Sequence, residues 1–289
     1  MKSIWLCLLV MLAMIVNTSC TTLRDNPVVR PLLIGVTSGY MHCLRAKNYF
    51  DRDADVELAK AVAGRNTEKM ERCLAKGADV NAVGREGVTP LWWSVYKNSK
   101  SGFVFLLQHG ADPNLITKIY NGDEVSVMQK ITTMRETDYL RLALENGVSP
   151  DSPFGTGRFK ETLLFRAIMF SNLENVRVLV EAGANVNYQN PGNGETPVIQ
   201  AYEVCNYDMV NYLLSAGADP KVKDISGYDL AKMIKLFGFT GGSKKDRQYY
   251  LMMLEKLGIR EDEVWKLGQP RESFFIPQKF ENGVWVGHE

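Results

Sequence analysis

From about residue 55 onward, apolar residues fall at three- and four-residue intervals, in short runs that each end near a glycine. Glu68-Lys69-Met70-Glu71-Arg72-Cys73-Leu74 and Met209-Val210-Asn211-Tyr212-Leu213-Leu214 show the pattern. That spacing gathers the apolar side chains on one helix face and leaves the other to solvent. The glycine just beyond stops the helix, because it takes a left-handed backbone without a Cβ clash. A second, shorter helix is predicted where Thr89-Pro90-Leu91 and Thr196-Pro197-Val198 occur. Threonine offers a cap oxygen there, and proline in the first turn forfeits no hydrogen bond that the helix needs.

The stop signal is itself a repeated phrase. Gly77-Ala78-Asp79-Val80-Asn81 returns as Gly110-Ala111-Asp112-Pro113-Asn114, Gly147-Val148-Ser149-Pro150-Asp151, Gly183-Ala184-Asn185-Val186-Asn187 and Gly217-Ala218-Asp219-Pro220-Lys221, with glycine spacings of 33, 37, 36 and 34. Near-constant spacing of this kind marks a repeat architecture, in which each unit buries its apolar face against its neighbours. The units read as Asp55–Val83, Gly84–Ile116, Thr117–Pro153, Phe154–Gln189, Asn190–Lys223 and a capping unit from Asp224 to about Arg260.

The Thr-Pro-Leu openings and the Gly-Ala-Asp-Val-Asn phrases resemble the ankyrin-repeat family. The resemblance covers roughly Asp55 to Gly258 and implies an all-α solenoid of about five to six helix-turn-helix units with N- and C-terminal capping segments. Trp92 stands where the family has histidine. Ser126-Val127-Met128 and Thr162-Leu163-Leu164 replace Thr-Pro-Leu in the third and fourth units, and Gly227-Tyr228-Asp229-Leu230-Ala231 is a shortened opening in the sixth. Two loops, Leu115–Glu124 and Ser152–Glu161, exceed the minimal repeat, and insertions in repeat proteins gather on one face.

The chain starts differently. Lys2 is followed by an unbroken apolar run, Ile4–Val16, and then by Asn17-Thr18-Ser19-Cys20. A positive start, a short apolar middle and small polar residues make a secretory signal, and the run is too short to cross a hydrocarbon core of about 30 Å. Thr18-Ser19-Cys20 resembles a bacterial lipobox, although Asn17 replaces the usual leucine. The resemblance implies lipidation at Cys20 and anchoring in the periplasm, at the outer membrane rather than the inner; simple cleavage is the competing reading. The expected organisation is residues 1–19 signal peptide, 20–31 lipidated tether, 32–54 N-terminal capping segment, 55–260 ankyrin-repeat array and 261–289 C-terminal arm. In that arm, Asn282-Gly283 between apolar runs predicts a hairpin.

Composition removes some functions. The sequence carries 34 Lys and Arg against 33 Asp and Glu, a net charge of +1, and without Lys2 it is neutral. Such a chain lacks the electrostatic footprint of a nucleic-acid partner. The three histidines, His42, His109 and His288, are not at metal-ligand spacing, and there is no Cys-x-x-Cys pair. His109 reads as a cap residue favourable to the helix dipole, and Cys73 as a small core residue. Gly238-Phe239-Thr240-Gly241-Gly242-Ser243-Lys244 fails as a phosphate loop, because it lacks a preceding strand and the Gly-Lys-Ser/Thr order; it reads as a helix–helix linker. No enzyme, cofactor or metal is expected.

A binding role follows from the resemblance: the family recognises proteins through the turn tips and the exposed end of each first helix. Here those places hold Val83, Arg85, Glu86, Val88, Tyr96 and Lys97; then Tyr120, Asp123, Thr133 and Met134; then Arg158, Phe159, Met169 and Phe170; and then Asn193, Glu195, Glu203 and Val204. Tyr96, Tyr120, Phe159, Met169 and Phe170 are the expected anchors. Tyr49-Phe50-Asp51, Leu58-Ala59-Lys60-Ala61-Val62 and Trp92-Trp93 further resemble bacterial ankyrin lipoproteins. Some of these are immunity proteins against type VI secretion effectors such as phospholipases. The expected partner is one protein ligand, a secreted toxin or lipase effector on this resemblance, bound by a monomer. The alternative is a periplasmic scaffold for envelope or oxidative-stress maintenance.

Overall fold

The computed structural model describes residues 45–119, 124–154, 160–240 and 243–264, and the backbone of 278–281 and 284–288. The signal segment, the tether with Cys20 and most of the N-terminal capping segment lie outside the described residues. So do Tyr120, Asp123, Arg158 and Phe159. The chain divides into two compact units, Met1–Val125 and Ser126–Glu289. The fold is all-α, built from ankyrin-type helix pairs with short two-stranded ladders between some of them.

The first unit opens with a 3₁₀ turn, Ala46–Asn48. Two helix pairs follow: α1 (Asp53–Ala63) with α2 (Thr67–Ala75), and α3 (Pro90–Tyr96) with α4 (Lys100–Gln108). The core is Leu58, Val62, Leu91, Trp93, Phe103 and Leu106, all at most 1% exposed. Trp93 Nε1 donates to the Ala59 carbonyl at 2.8 Å, so the indole is buried without losing its hydrogen bond. Gly102 lets α4 close on α1: a Cβ there would lie 2.7 Å from Ser99 Oγ and 3.0 Å from Val62 Cγ1. Ser99 Oγ uses this closeness to donate to the Val62 carbonyl at 2.6 Å.

The second unit holds α5 (Val127–Thr133), α6 (Asp138–Glu145), α7 (Leu163–Met169), α8 (Leu173–Glu181), α9 (Pro197–Glu203) and α10 (Tyr207–Ser215). Within it α5, α7 and α9 pack side by side, each also against its own partner helix. It closes with α11 (Leu230–Phe237) and a longer α12 (Lys244–Leu257), joined by the segment expected to be a linker. Tyr250 on α12 meets Tyr207 edge-on, with ring centroids 5.2 Å apart, and Asn211 Nδ2 donates to the Tyr249 carbonyl at 2.8 Å. Lys235 with Glu263 and Arg247 with Glu261 pair on this cap.

Helix starts show how far the threonine rule reaches. Thr89 accepts from the Trp92 N–H at 3.2 Å, and Ser126 forms a reciprocal capping box with Gln129. Thr196 corrects the expectation: its backbone is extended as at a cap, with φ −108° and ψ 161°, yet its buried hydroxyl makes no hydrogen bond. Second helices use another device, in which Asn66, Ser99, Asn172 and Asn206 cap α2, α4, α8 and α10 with their side chains. The residues just before them, Arg65, Asn98, Ser171 and Cys205, turn the chain with φ between 49° and 57°.

The repeated phrase is a ladder. Its five glycines have φ between 85° and 93°, the left-handed stop expected of them. Beyond the Gly77, Gly147 and Gly183 stops a polar residue links one turn to the next. Asn81 donates to the Gly110 carbonyl at 3.1 Å and accepts from the Asp112 N–H at 2.8 Å. Asn187 makes the same pair of bonds to Gly217 and Asp219.

The two long loops begin and end in antiparallel ladders. β1 (Thr117–Lys118) pairs β2 (Glu124–Val125), and β3 (Pro153–Phe154) pairs β4 (Glu161–Thr162). In the C-terminal arm, β5 (Gln278–Glu281) pairs β6 (Val284–His288) on either side of Asn282-Gly283, as the hairpin signal predicts.

Candidate protein-binding surface

The ends of the first helices differ in exposure, and each unit carries its own set. In the first unit Val83 is 59% exposed at a turn tip. Arg85 is exposed and pairs with Asp51 at 2.9 Å, while Glu86 is half-buried with φ 57°. Val88 is a correction. It is 5% exposed, because its carbonyl accepts the Gly84 N–H at 2.9 Å to close the turn and its side chain joins the core. At the end of α3, Tyr96 and Lys97 are half-buried: the Tyr96 ring lies 5.4 Å from Trp92, and Lys97 Nζ sits 4.7 Å above Trp93.

The strongest candidate lies in the second unit. Met169 and Phe170, at the end of α7, are 44% and 51% exposed. The Arg166 guanidinium, 5.0 Å from the Phe170 ring and 5.8 Å from the Phe154 ring, steadies Phe170 by cation–π attraction. At the equivalent end of the neighbouring α9 stand Glu203, exposed, and Val204, half-buried. Thr133 and Met134, at the end of α5, are half-buried and partly structural. The Met134 carbonyl accepts Asn172 Nδ2 at 2.6 Å and Asn175 Nδ2 at 2.9 Å. Asn193 and Glu195 are also half-buried, with Asn193 Oδ1 accepting the Glu195 N–H at 3.1 Å.

Three carboxylates of this unit are perturbed, one of them by Arg166, the cation over Phe170. Desolvation pushes the Glu203 carboxyl up to about 7, helped by the negative charges of Glu195 and Asp224. Desolvation likewise raises Glu195, which also feels Asp224 and Glu161, although its hydrogen bond with Asn193 opposes the rise. Glu161 is raised by desolvation against the pull of Arg166. Carboxylates held above their ordinary range lack enough positive charge nearby, so an approaching cation stabilises them. The arrangement suits an apolar side chain set against Met169 and Phe170 with a basic group beside it.

Glu161, Asp224 and Arg166 escaped the sequence reading. Register held a signal for the first: Glu161 precedes Thr162 as Glu195 precedes Thr196. Ile116 and Ile225, 44% and 63% exposed, are further apolar turn residues that the reading passed over.

The residues weighed for chemistry take structural places. Cys73 is a buried free thiol at 6% exposure. His109 follows α4 with Nδ1 2.7 Å from the Phe105 carbonyl and its ring stacked on Phe105, centroids 3.9 Å apart. Among the described residues no three His, Cys, Asp or Glu side chains gather to hold a metal, and no helix is long and apolar enough to cross a membrane.

Comparison with known proteins agrees with this geometry. A family profile of ankyrin repeats in three copies matches residues 130–224, and a single ankyrin-repeat profile matches residues 86–118. The putative palmitoyltransferase ZDHHC13 of Danio rerio is 26% identical over 189 residues, covering 64% of this chain and 28% of the relative. The mitochondrial disaggregase of Bos taurus is 32% identical over 173 residues, covering 58% of this chain and 24% of the relative. The chain thus spans about a quarter of the length of these relatives. Among solved structures, the ankyrin repeat domain of Bcl-3 superposes with a TM-score of 0.54 at 22% identity, covering 72% of this chain and 89% of that one. An ankyrin repeat domain from Acinetobacter baumannii gives 0.51 at 25% identity, covering 70% and 98%. The chain carries ankyrin repeats, and they form a scaffold for binding protein partners.

Proposed function

We propose that the chain is a protein-binding module tethered in the bacterial periplasm, where it acts as an immunity protein against a toxic effector of the phospholipase kind. The observation that carries the binding role is the Met169–Phe170 shoulder, a large apolar pair left exposed beside raised carboxylates. Solvating such a pair is unfavourable, and covering it with a partner's apolar side chain recovers that free energy. The periplasmic part rests on the leader, with Lys2, the apolar run and Cys20 in lipobox order. A tether at the membrane keeps a neutraliser concentrated where toxins arrive. The ankyrin scaffold supplies recognition, and the effector supplies the chemistry that is blocked.

The test co-expresses the full chain in the periplasm with the product of the adjacent reading frame and follows growth. Protection by the parent chain, lost in the double variant Met169→Ala, Phe170→Ala, is the expected result. Undiminished protection by that variant at equal abundance removes the shoulder from the interface, and no protection by the parent chain removes the immunity role.

A further inference from the structure

The first unit holds a second place where charge converges. Beside the 3₁₀ turn Ala46–Asn48, and against α1 and α3, lies an open cleft of about 690 Å³. Five cations line it, Arg45, Lys47, Lys60, Arg65 and Lys97, and among the described residues no carboxylate does; Ala63 supplies apolar surface beside the buried Trp93. One of the five is offset, since Lys60 Nζ lies 2.7 Å from Glu57, which also takes Lys69 at 3.0 Å. Two others are positioned by neighbours: Arg65 donates to the Asn98 carbonyl at 3.1 Å, and Lys97 lies over Trp93. Arg45 and Lys47 are exposed at the mouth.

In a chain whose net charge is only +1, this concentration is made by the fold. Like charges around one hollow repel one another and focus a positive potential within it. The volume falls in the range of small-molecule sites. A compact ligand therefore fits better than an extended chain. Arginine forks match phosphate oxygens in pairs, lysines add point charges, and the apolar surface accepts an uncharged portion. We propose that this cleft binds a compact phosphate-bearing anion with two or more negative charges. Two sources share that chemistry: the headgroup of an anionic lipid and a soluble di- or polyphosphate.

The experiment uses the full-length chain carrying Cys20→Ser, so that retention on vesicles reads the cleft and not an acyl anchor. Inorganic pyrophosphate is titrated calorimetrically, and vesicles of phosphatidylglycerol are compared with vesicles of phosphatidylcholine by flotation. The expected result is saturable pyrophosphate binding that weakens with salt and falls about tenfold in the double variant Arg45→Ala, Lys47→Ala. Both side chains are exposed, so the fold survives their truncation; the charge reversal Lys47→Glu alone provides a second reading, with a larger loss than Lys47→Arg. Retention on phosphatidylglycerol but not phosphatidylcholine, lost in the same variants, assigns the lipid headgroup. Pyrophosphate binding without that retention assigns a soluble ligand. Absence of both, equal binding by parent and variants, or a polyglutamate peptide binding where pyrophosphate does not, overturns the proposal.

Discussion

Asn187 accepts a hydrogen bond from the backbone N–H of Asp219 at 2.7 Å, while its own amide donates to the Gly217 carbonyl at 3.1 Å. One side chain thereby fixes the spacing between two successive turns. Asn187→Ala removes both bonds, and because the site is exposed the loss is expected to be about 1 kcal/mol. A shift of the urea midpoint at unchanged slope would measure it. Asp151 makes only the accepting half of this clasp, from the Asn185 N–H at 2.9 Å. Asp151→Asn restores the amide and is expected to raise stability by about 0.5 kcal/mol; lowered stability would show that the third turn is spaced differently.

Ser171 stands in the left-handed region with φ 51°, a conformation that costs a residue with a Cβ roughly 1–2 kcal/mol. Glycine removes the clash but adds freedom to the unfolded chain. Ser171→Gly is expected to stabilise by about 0.5–1 kcal/mol net, read as a higher melting temperature. A fall would mean that the strain is relieved elsewhere.

Glu203 makes the shoulder sensitive to pH. Its folded value of about 7 lies above the ordinary 4.5, so the folded state holds a proton that the unfolded chain releases between those values. Stability is therefore full below about 4.5 and declines as pH rises through about 7. Binding of a basic partner has the opposite sense, because the cation favours the ionised carboxylate: affinity drops as pH falls through about 7. Glu203→Gln should flatten both profiles. Denaturation and affinity measured across this window check the pair, and parallel slopes in the variant would exclude Glu203 as the titrating group.

If Cys20 carries the anchor, Cys20→Ser is expected to move the chain from the membrane pellet to the soluble fraction, with its helix content by circular dichroism unchanged. Retention in the pellet would defeat lipid anchoring at this position.

The helices, the repeat spacing and the left-handed glycines were legible because each depends on a short sequence pattern with one dominant physical cause. The hairpin flanking Asn282-Gly283 was legible for the same reason. Burial at the turns was not. Val88 and Val83 are identical residues five positions apart, yet one is 5% and the other 59% exposed, and the Gly84-to-Val88 bond that closes the turn joins residues that no local pattern marks. Thr89 and Thr196 share a Thr-Pro context, yet of the two only Thr89 caps with its side chain, while the buried Thr196 hydroxyl makes no hydrogen bond. The carboxylates near Phe170 and the cations around Trp93 come from different helices and loops, so no local window contains either group.

The two-residue ladders at Thr117–Lys118 with Glu124–Val125, and at Pro153–Phe154 with Glu161–Thr162, behave as splice joints. Ser126 begins its capping box directly after the first, and α7 starts directly after the second. Within the second unit, the pairing of Pro153–Phe154 with Glu161–Thr162 sets the start of α7 independently of the residues between the strands, which makes that position a natural place to graft a new sequence.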